Sequence, residues 1–161
     1  MRLTKHTEYA LRALIYLGVQ PGIYVTSEQI SKAYGISNHH LVKIVCELGK
    51  EGILEVRRGR QGGVRLARAP EDINLAQLVR MTEPDFQLAE CFADGEQSCP
   101  VHPACSLVGP LEEARDAFMA VLAGYTLADL LVPPRLVQIR RVLGLPVTEP
   151  IGDRRPLPTT S

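Results

Sequence analysis

At 161 residues and 45% hydrophobic, the chain is long enough for one ordinary domain with extensions, and with no Trp and only three Phe its core has to be built mainly from Leu, Val, Ile and Ala. The formal net charge of zero conceals an asymmetry: residues 1–80 carry 12 Lys/Arg against 7 Asp/Glu, and residues 81–161 carry 6 against 11, so only the first half is suited to a polyanion. No apolar run approaches the roughly 20 residues that cross a bilayer, and the charged start Met1-Arg2-Leu3-Thr4-Lys5-His6-Thr7-Glu8 has no signal-peptide stretch, so a cytoplasmic chain without a membrane partner is expected.

From Thr4 to Gly18 the pattern is helical, with Leu3, Ala10, Leu11, Leu14, Ile15 and Leu17 on one broad face. Pro21-Gly22 ends it, and Ile23-Tyr24-Val25 is short and β-prone. Thr26 or Ser27 opens a second helix to about Tyr34, Gly35 turns the chain, and Ser37-Asn38 opens a third to about Lys50, with Leu41, Ile44, Val45 and Leu48 at spacings of three and four. Two helices joined by a tight glycine turn predict a helix-turn-helix. Ile53–Arg58 and Val64–Ala67 read as strands around the turn Gly59-Arg60-Gln61-Gly62-Gly63, which predicts a wing. That hairpin holds Arg57, Arg58, Arg60 and Arg65, with Arg68 just beyond, against the single acid Glu55.

A fourth helix is expected from Asp72 to about Met81. The segment from Thr82 to Ser98 has five acids and no base, and leads into three cysteines. Pro110 suits the first turn of a long helix over 111–123, and Thr126–Leu131 predicts a further short one. The chain is then Pro- and Arg-rich, and residues 145–161 read as a disordered tail. The fold class expected is mainly α with a small β-hairpin, in three parts: a winged helix-turn-helix over residues 1–80, a cysteine loop and dimerisation helix over 81–131, and a flexible tail over 132–161.

Two constellations carry chemistry. The start of a winged-helix third helix lies in the major groove, where each base pair shows a distinct donor and acceptor pattern. Here it presents Ser37, Asn38, His39, His40 and Lys43. Arg60, flanked by Gly59 and beside Gln61 at the wing tip, suits the narrow minor groove, while Arg57, Arg58 and Arg65 suit phosphates. The plainer alternative is a solvated basic hairpin on a protein-binding module. The second constellation is Cys91, Cys99 and Cys105, separated by seven and five residues in a stretch containing Gly95, Pro100 and Pro103. A reducing compartment argues against a disulfide, and structural zinc prefers closer cysteine pairs. An iron–sulfur cluster suits three thiolates on a loop, with zinc, thiol redox sensing and inert thiols as the alternatives. His102 is a further ligand candidate, restrained by Pro100 and Pro103. Cys46, inside the third helix, reads as a small buried hydrophobe. No Gly-rich phosphate loop and no Ser/His/Asp arrangement supports an enzyme or electron carrier.

The strings Leu3-Thr4-Lys5, Tyr9-Ala10-Leu11-Arg12, Gly35-Ile36-Ser37 with His40-Leu41 and Val45, the wing from Val56 to Gly63 and the cysteine triplet together resemble the bacterial winged-helix iron–sulfur transcriptional regulators, the NsrR/IscR-like family, over about residues 1–131. The resemblance implies a homodimeric repressor on palindromic double-stranded operator DNA. It also implies an iron–sulfur cluster held by Cys91, Cys99 and Cys105. Members that sense iron–sulfur status take a His just after the last cysteine as fourth ligand; here Ser106-Leu107-Val108 follow. Members that sense nitric oxide take an acid from the first helix of the other subunit. Glu8 stands at that position, where Asp is more usual, with Arg12 four residues on as a neighbour of the cluster. The similarity is therefore greater to the nitric-oxide sensors, with a 4Fe-4S cluster preferred and 2Fe-2S as the alternative. Leu111, Ala114, Phe118, Val121 and Leu122 are the expected dimer contacts. The plainer reading of Glu8 is an exposed helix acid.

Overall fold

The computed structural model describes residues 2–59, 62–92 and 99–147. Helix α1 (Lys5–Gly18) begins at Thr4, whose side chain accepts from the Thr7 N–H at 3.3 Å. Ala10, Ala13, Leu14 and Leu17 are at most 2% exposed, and α1 packs against nearly every other element of the first half. Helix α2 (Ser27–Tyr34) starts in a reciprocal capping box between Thr26 and Gln29. It ends at Gly35, whose φ of 62° places it in the left-handed region that a glycine occupies without strain. Ser31 Oγ donates to the Ile36 carbonyl at 2.6 Å and holds this turn against α3 (Asn38–Lys50). Ile30, Leu41, Ile44 and Leu48 are completely buried between the two helices and α1.

Strands β1 (Leu54–Arg57) and β2 (Gly63–Leu66) pair antiparallel, with Leu54 opposite Leu66 and Arg57 opposite Gly63. Val25 adds a bridge to Val64, with N···O distances of 2.9 and 2.8 Å. A Cβ on Gly63 would lie 2.9 Å from the Val25 carbonyl, so glycine is needed where the two backbones meet. The winged helix-turn-helix is thus formed as the sequence predicts.

Helix α4 (Leu75–Thr82) starts later than expected, because Pro70–Asp72 forms a separate 3-10 turn. Asn74 caps it: its Oδ1 accepts from the Ala76 and Gln77 N–H groups at 3.0 and 3.2 Å, while Nδ2 donates to the Ala123 carbonyl at 2.8 Å. Helix α5 (Val108–Ala123) starts before Pro110 and packs on α4 around Ala76, Val79 and Met119. Helix α6 (Leu127–Leu130) follows, with a capping box between Thr126 and Asp129.

Two expectations are corrected. The segment from 132 is not all tail: α7 (Arg135–Val142) is helical, and Leu136, Ile139, Leu143 and Leu145 pack against the core around α1. Apolar side chains at near-helical spacing outweigh the Pro- and Arg-rich composition there. Residues 148–161 lie outside the described residues. Cys46 is exposed rather than buried, because Leu41, Ile44, Val45 and Leu48 fill the inward face of α3 and leave residue 46 outward.

Candidate nucleic-acid interface and cysteine segment

Helix α3 presents Ser37, Asn38, His39, His40, Val42 and Lys43 to solvent on one continuous surface. The Ser37 hydroxyl makes no capping bond, and the first turn contains no acid. The rings of His39 and His40 lie 6.0 Å apart at 51°. The five polar residues predicted to read bases thus stand together on one helix end, available to donate and accept at a groove.

The wing is organised around Tyr24 and Glu55. Arg65 donates through Nε and Nη2 to Glu55 Oε2 at 2.9 and 2.8 Å, and its guanidinium lies 4.7 Å from the Tyr24 ring centroid. The Tyr24 hydroxyl also donates to Glu55. These bonds, from Tyr24 first and Arg65 second, hold the Glu55 carboxyl below the ordinary range, and the same contact with Glu55 pushes the Tyr24 phenol up. Arg65, expected among the phosphate contacts, therefore directs two of its five N–H donors to Glu55 inside the hairpin. The register explains this, since Glu55 and Arg65 are directly opposite across the two strands. Tyr24 is the residue that sequence reasoning missed, although its β-prone neighbourhood beside the wing was a signal. Arg57 lies 5.8 Å over the same ring, and Arg57 and Arg58 are both exposed. Arg68 is a brace: it donates to the Glu51 and Gly52 carbonyls at 2.6 and 3.0 Å, where α3 passes into β1. Arg60 and Gln61 lie outside the described residues.

Cys91, Cys99 and Cys105 are half-buried free thiols. Cys91 sits in the 3-10 turn Glu90–Phe92, and Arg115 of α5 lies 5.5 Å over the Phe92 ring. Cys99 and Cys105 bracket the turn His102–Ala104: the Cys99 carbonyl accepts from the His102 N–H at 3.1 Å, and the Cys105 N–H donates to the His102 carbonyl at 3.2 Å. Residues 93–98, between the first two cysteines, lie outside the described residues. Among the described residues no three His, Cys, Asp or Glu side chains converge on a metal-sized site. The donor set is nonetheless chemically suited to an iron–sulfur cluster: three soft, unbridged thiols on an irregular segment. Glu8 is not with them. It pairs with Arg12 of its own helix, and that guanidinium lies 5.8 Å over each of the Tyr9 and Tyr34 rings. Burial pushes the Tyr34 phenol up to about 12, which keeps it a neutral face for the cation.

Comparison with known proteins places these features. Residues 3–133 match the Rrf2 family, described as an iron-dependent transcriptional regulator. The chain is 50% identical over 132 residues to the HTH-type transcriptional regulator NsrR of Geobacillus kaustophilus, covering 81% of this chain and 90% of that one. It is 47% identical over 132 residues to the NsrR regulator of Halalkalibacterium halodurans, with the same coverage. Among solved structures it is similar to T. potens IscR, with a TM-score of 0.62 and 26% identity over 81% of this chain and 86% of that one.

Proposed function

Because the chain belongs to the Rrf2 family of transcriptional regulators, we propose that it is a homodimeric repressor that holds an iron–sulfur cluster and releases operator DNA in response to nitric oxide. The single observation that carries the reading is the pairing in one chain of a winged helix-turn-helix and a segment of three unbridged thiols. Its 42–50% identity with regulators named NsrR supports the signal. When bound, the cluster supplies iron with which nitric oxide reacts.

This chain's own residues do the rest. Cys91, Cys99 and Cys105 are the ligands proposed, and Ser37, Asn38, His39, His40 and Lys43 read the major groove. Arg57 and Arg58 meet phosphates, and Arg60, with Gln61 beside it, is given to the narrow minor groove. Glu8 is the fourth ligand proposed, given to the partner subunit's cysteines. In this conformation Arg12 pairs with one oxygen of Glu8, Oε1, on their own helix. A carboxylate is a harder and weaker iron ligand than a thiolate, which suits a site that must open. Helix α5 supports the dimer: of its 16 residues only Met119 is buried, and Val121 is 62% exposed. Phe118 and Leu122 are partly used by the chain's own packing on α4, leaving Leu111, Ala114 and Val121 for the partner helix. Recognition helices of such a dimer stand about 34 Å apart, one turn of DNA.

A second reading, a 2Fe-2S redox- or iron–sulfur-status-sensing regulator, is favoured by the likeness to IscR. Anaerobic purification with iron and sulfide counts tests both. A coloured protein is expected whose chromophore is lost in Cys91→Ala, Cys99→Ala and Cys105→Ala and kept in Cys46→Ala. The iron count separates the two cluster types. A colourless wild type carrying zinc overturns the assignment.

A further inference from the structure

A cleft beside α3 is used by this reading only through His40 and Lys43. It lies between the first turns of α1 and the exposed face of α3, has a volume of about 230 Å³, and is lined by Lys5, His6, Tyr9, His40, Lys43 and Ile44. Each helix contributes one exposed lysine and one imidazole, while Ile44 and Tyr9 supply apolar wall. No carboxylate lines it. His6 Nε2 is 2.7 Å from Glu47 Oε2, a bond between α1 and α3 that holds the two sides of the cleft together. Among the described residues neither Lys5 nor Lys43 is in an ion pair, so both ammonium groups are available to an anion.

The geometry points to a DNA-backbone phosphate as the occupant, and we propose that Lys5 of α1, across the cleft from Lys43 of α3, binds a phosphate flanking the groove that α3 reads. The cleft is continuous with the reading surface, because His40 and Lys43 belong to both. A backbone running along the groove edge is therefore the anion that meets this cleft whenever α3 is seated. Contacts of this kind fix register and add affinity without sequence choice. The inference rests on the DNA-binding reading and adds α1 to it.

The test uses the full-length protein and a duplex that the wild type recovers from a randomised pool. Lys5→Ala is expected to weaken binding by about 3- to 10-fold, equally on the recovered duplex and on a scrambled one, and to lower the salt slope by about 0.9. Lys5→Arg is expected to restore both. A neutral methylphosphonate at the contacted position should weaken the wild type and have no added effect on Lys5→Ala. If the wild type and Arg58→Ala differ in salt slope but Lys5→Ala matches the wild type, the Lys5 contact is refuted while the DNA reading stands. If the wild type recovers no duplex, the DNA reading falls and the Lys5 contact falls with it.

Discussion

At the scale of single residues, the arginines of the wing separate into two kinds. Arg65 is tied by two hydrogen bonds to Glu55, whereas Arg58 is exposed. Arg58→Ala should therefore lower the salt slope of DNA binding by about one, and Arg65→Ala should leave it near the wild-type value. Equal slopes for both variants would show that Arg65 leaves Glu55 on DNA. The same cluster sets a pH dependence. Glu55 titrates below the usual carboxylate range in the folded chain, so its contribution is present above the unfolded value and is lost as pH falls through the folded one. Wing order, followed by amide exchange of Glu55 and Arg65, should thus be flat around neutrality and decline only in acid; a decline beginning near neutral pH would contradict this. The residue types of the reading surface were legible in the sequence, because a helix N-terminus lists its exposed groups in order. The Arg65 tether was less so, since it depends on strand register. The exposure of Cys46 was missed because Val45 and Leu48 already satisfy the inward face of α3.

Among the elements, the helix-turn-helix depends on local signals. The capping box of Thr26 and Gln29 and the left-handed Gly35 set where α2 begins and ends. Thr26→Ala should cost about 1 kcal/mol in a denaturant midpoint measured at constant slope. No change would mean that packing alone positions α2. Helix α5 carries the other element-level expectation. Val121→Asp places a charge on its exposed apolar side and should shift the protein toward monomer in sedimentation, with little change in helicity. A dimer of unchanged strength would move the interface elsewhere. Caps and periodicity made α1, α2, α3 and α6 readable. The start of α4 was not, because Pro70–Asp72 closes its own 3-10 turn ahead of the Asn74 cap.

Across the whole molecule, one core gathers α1, α2, α3, the wing and α6, and α7 closes over it. The family match ends at residue 133, before α7 begins. Termination after Pro134 removes Leu136, Ile139 and Leu143 from the core edge, which at partial burial should cost about 2–4 kcal/mol. The melting temperature should fall accordingly, and an unchanged value would show that α7 is dispensable to the core. Its existence was hidden in the sequence because prolines and arginines outnumber apolar residues after 132, although the four leucines and isoleucines that matter sit at near-helical spacing. The basic half and the acidic, cysteine-bearing half form one body through the packing of α4 with α1 and α5. The most direct measurement is anaerobic titration of a recovered duplex with wild type and Cys99→Ala, before and after nitric oxide. Tight wild-type binding that nitric oxide abolishes, and Cys99→Ala binding that does not change with nitric oxide, is the predicted result. Wild-type and Cys99→Ala protein that bind alike and respond alike would contradict it.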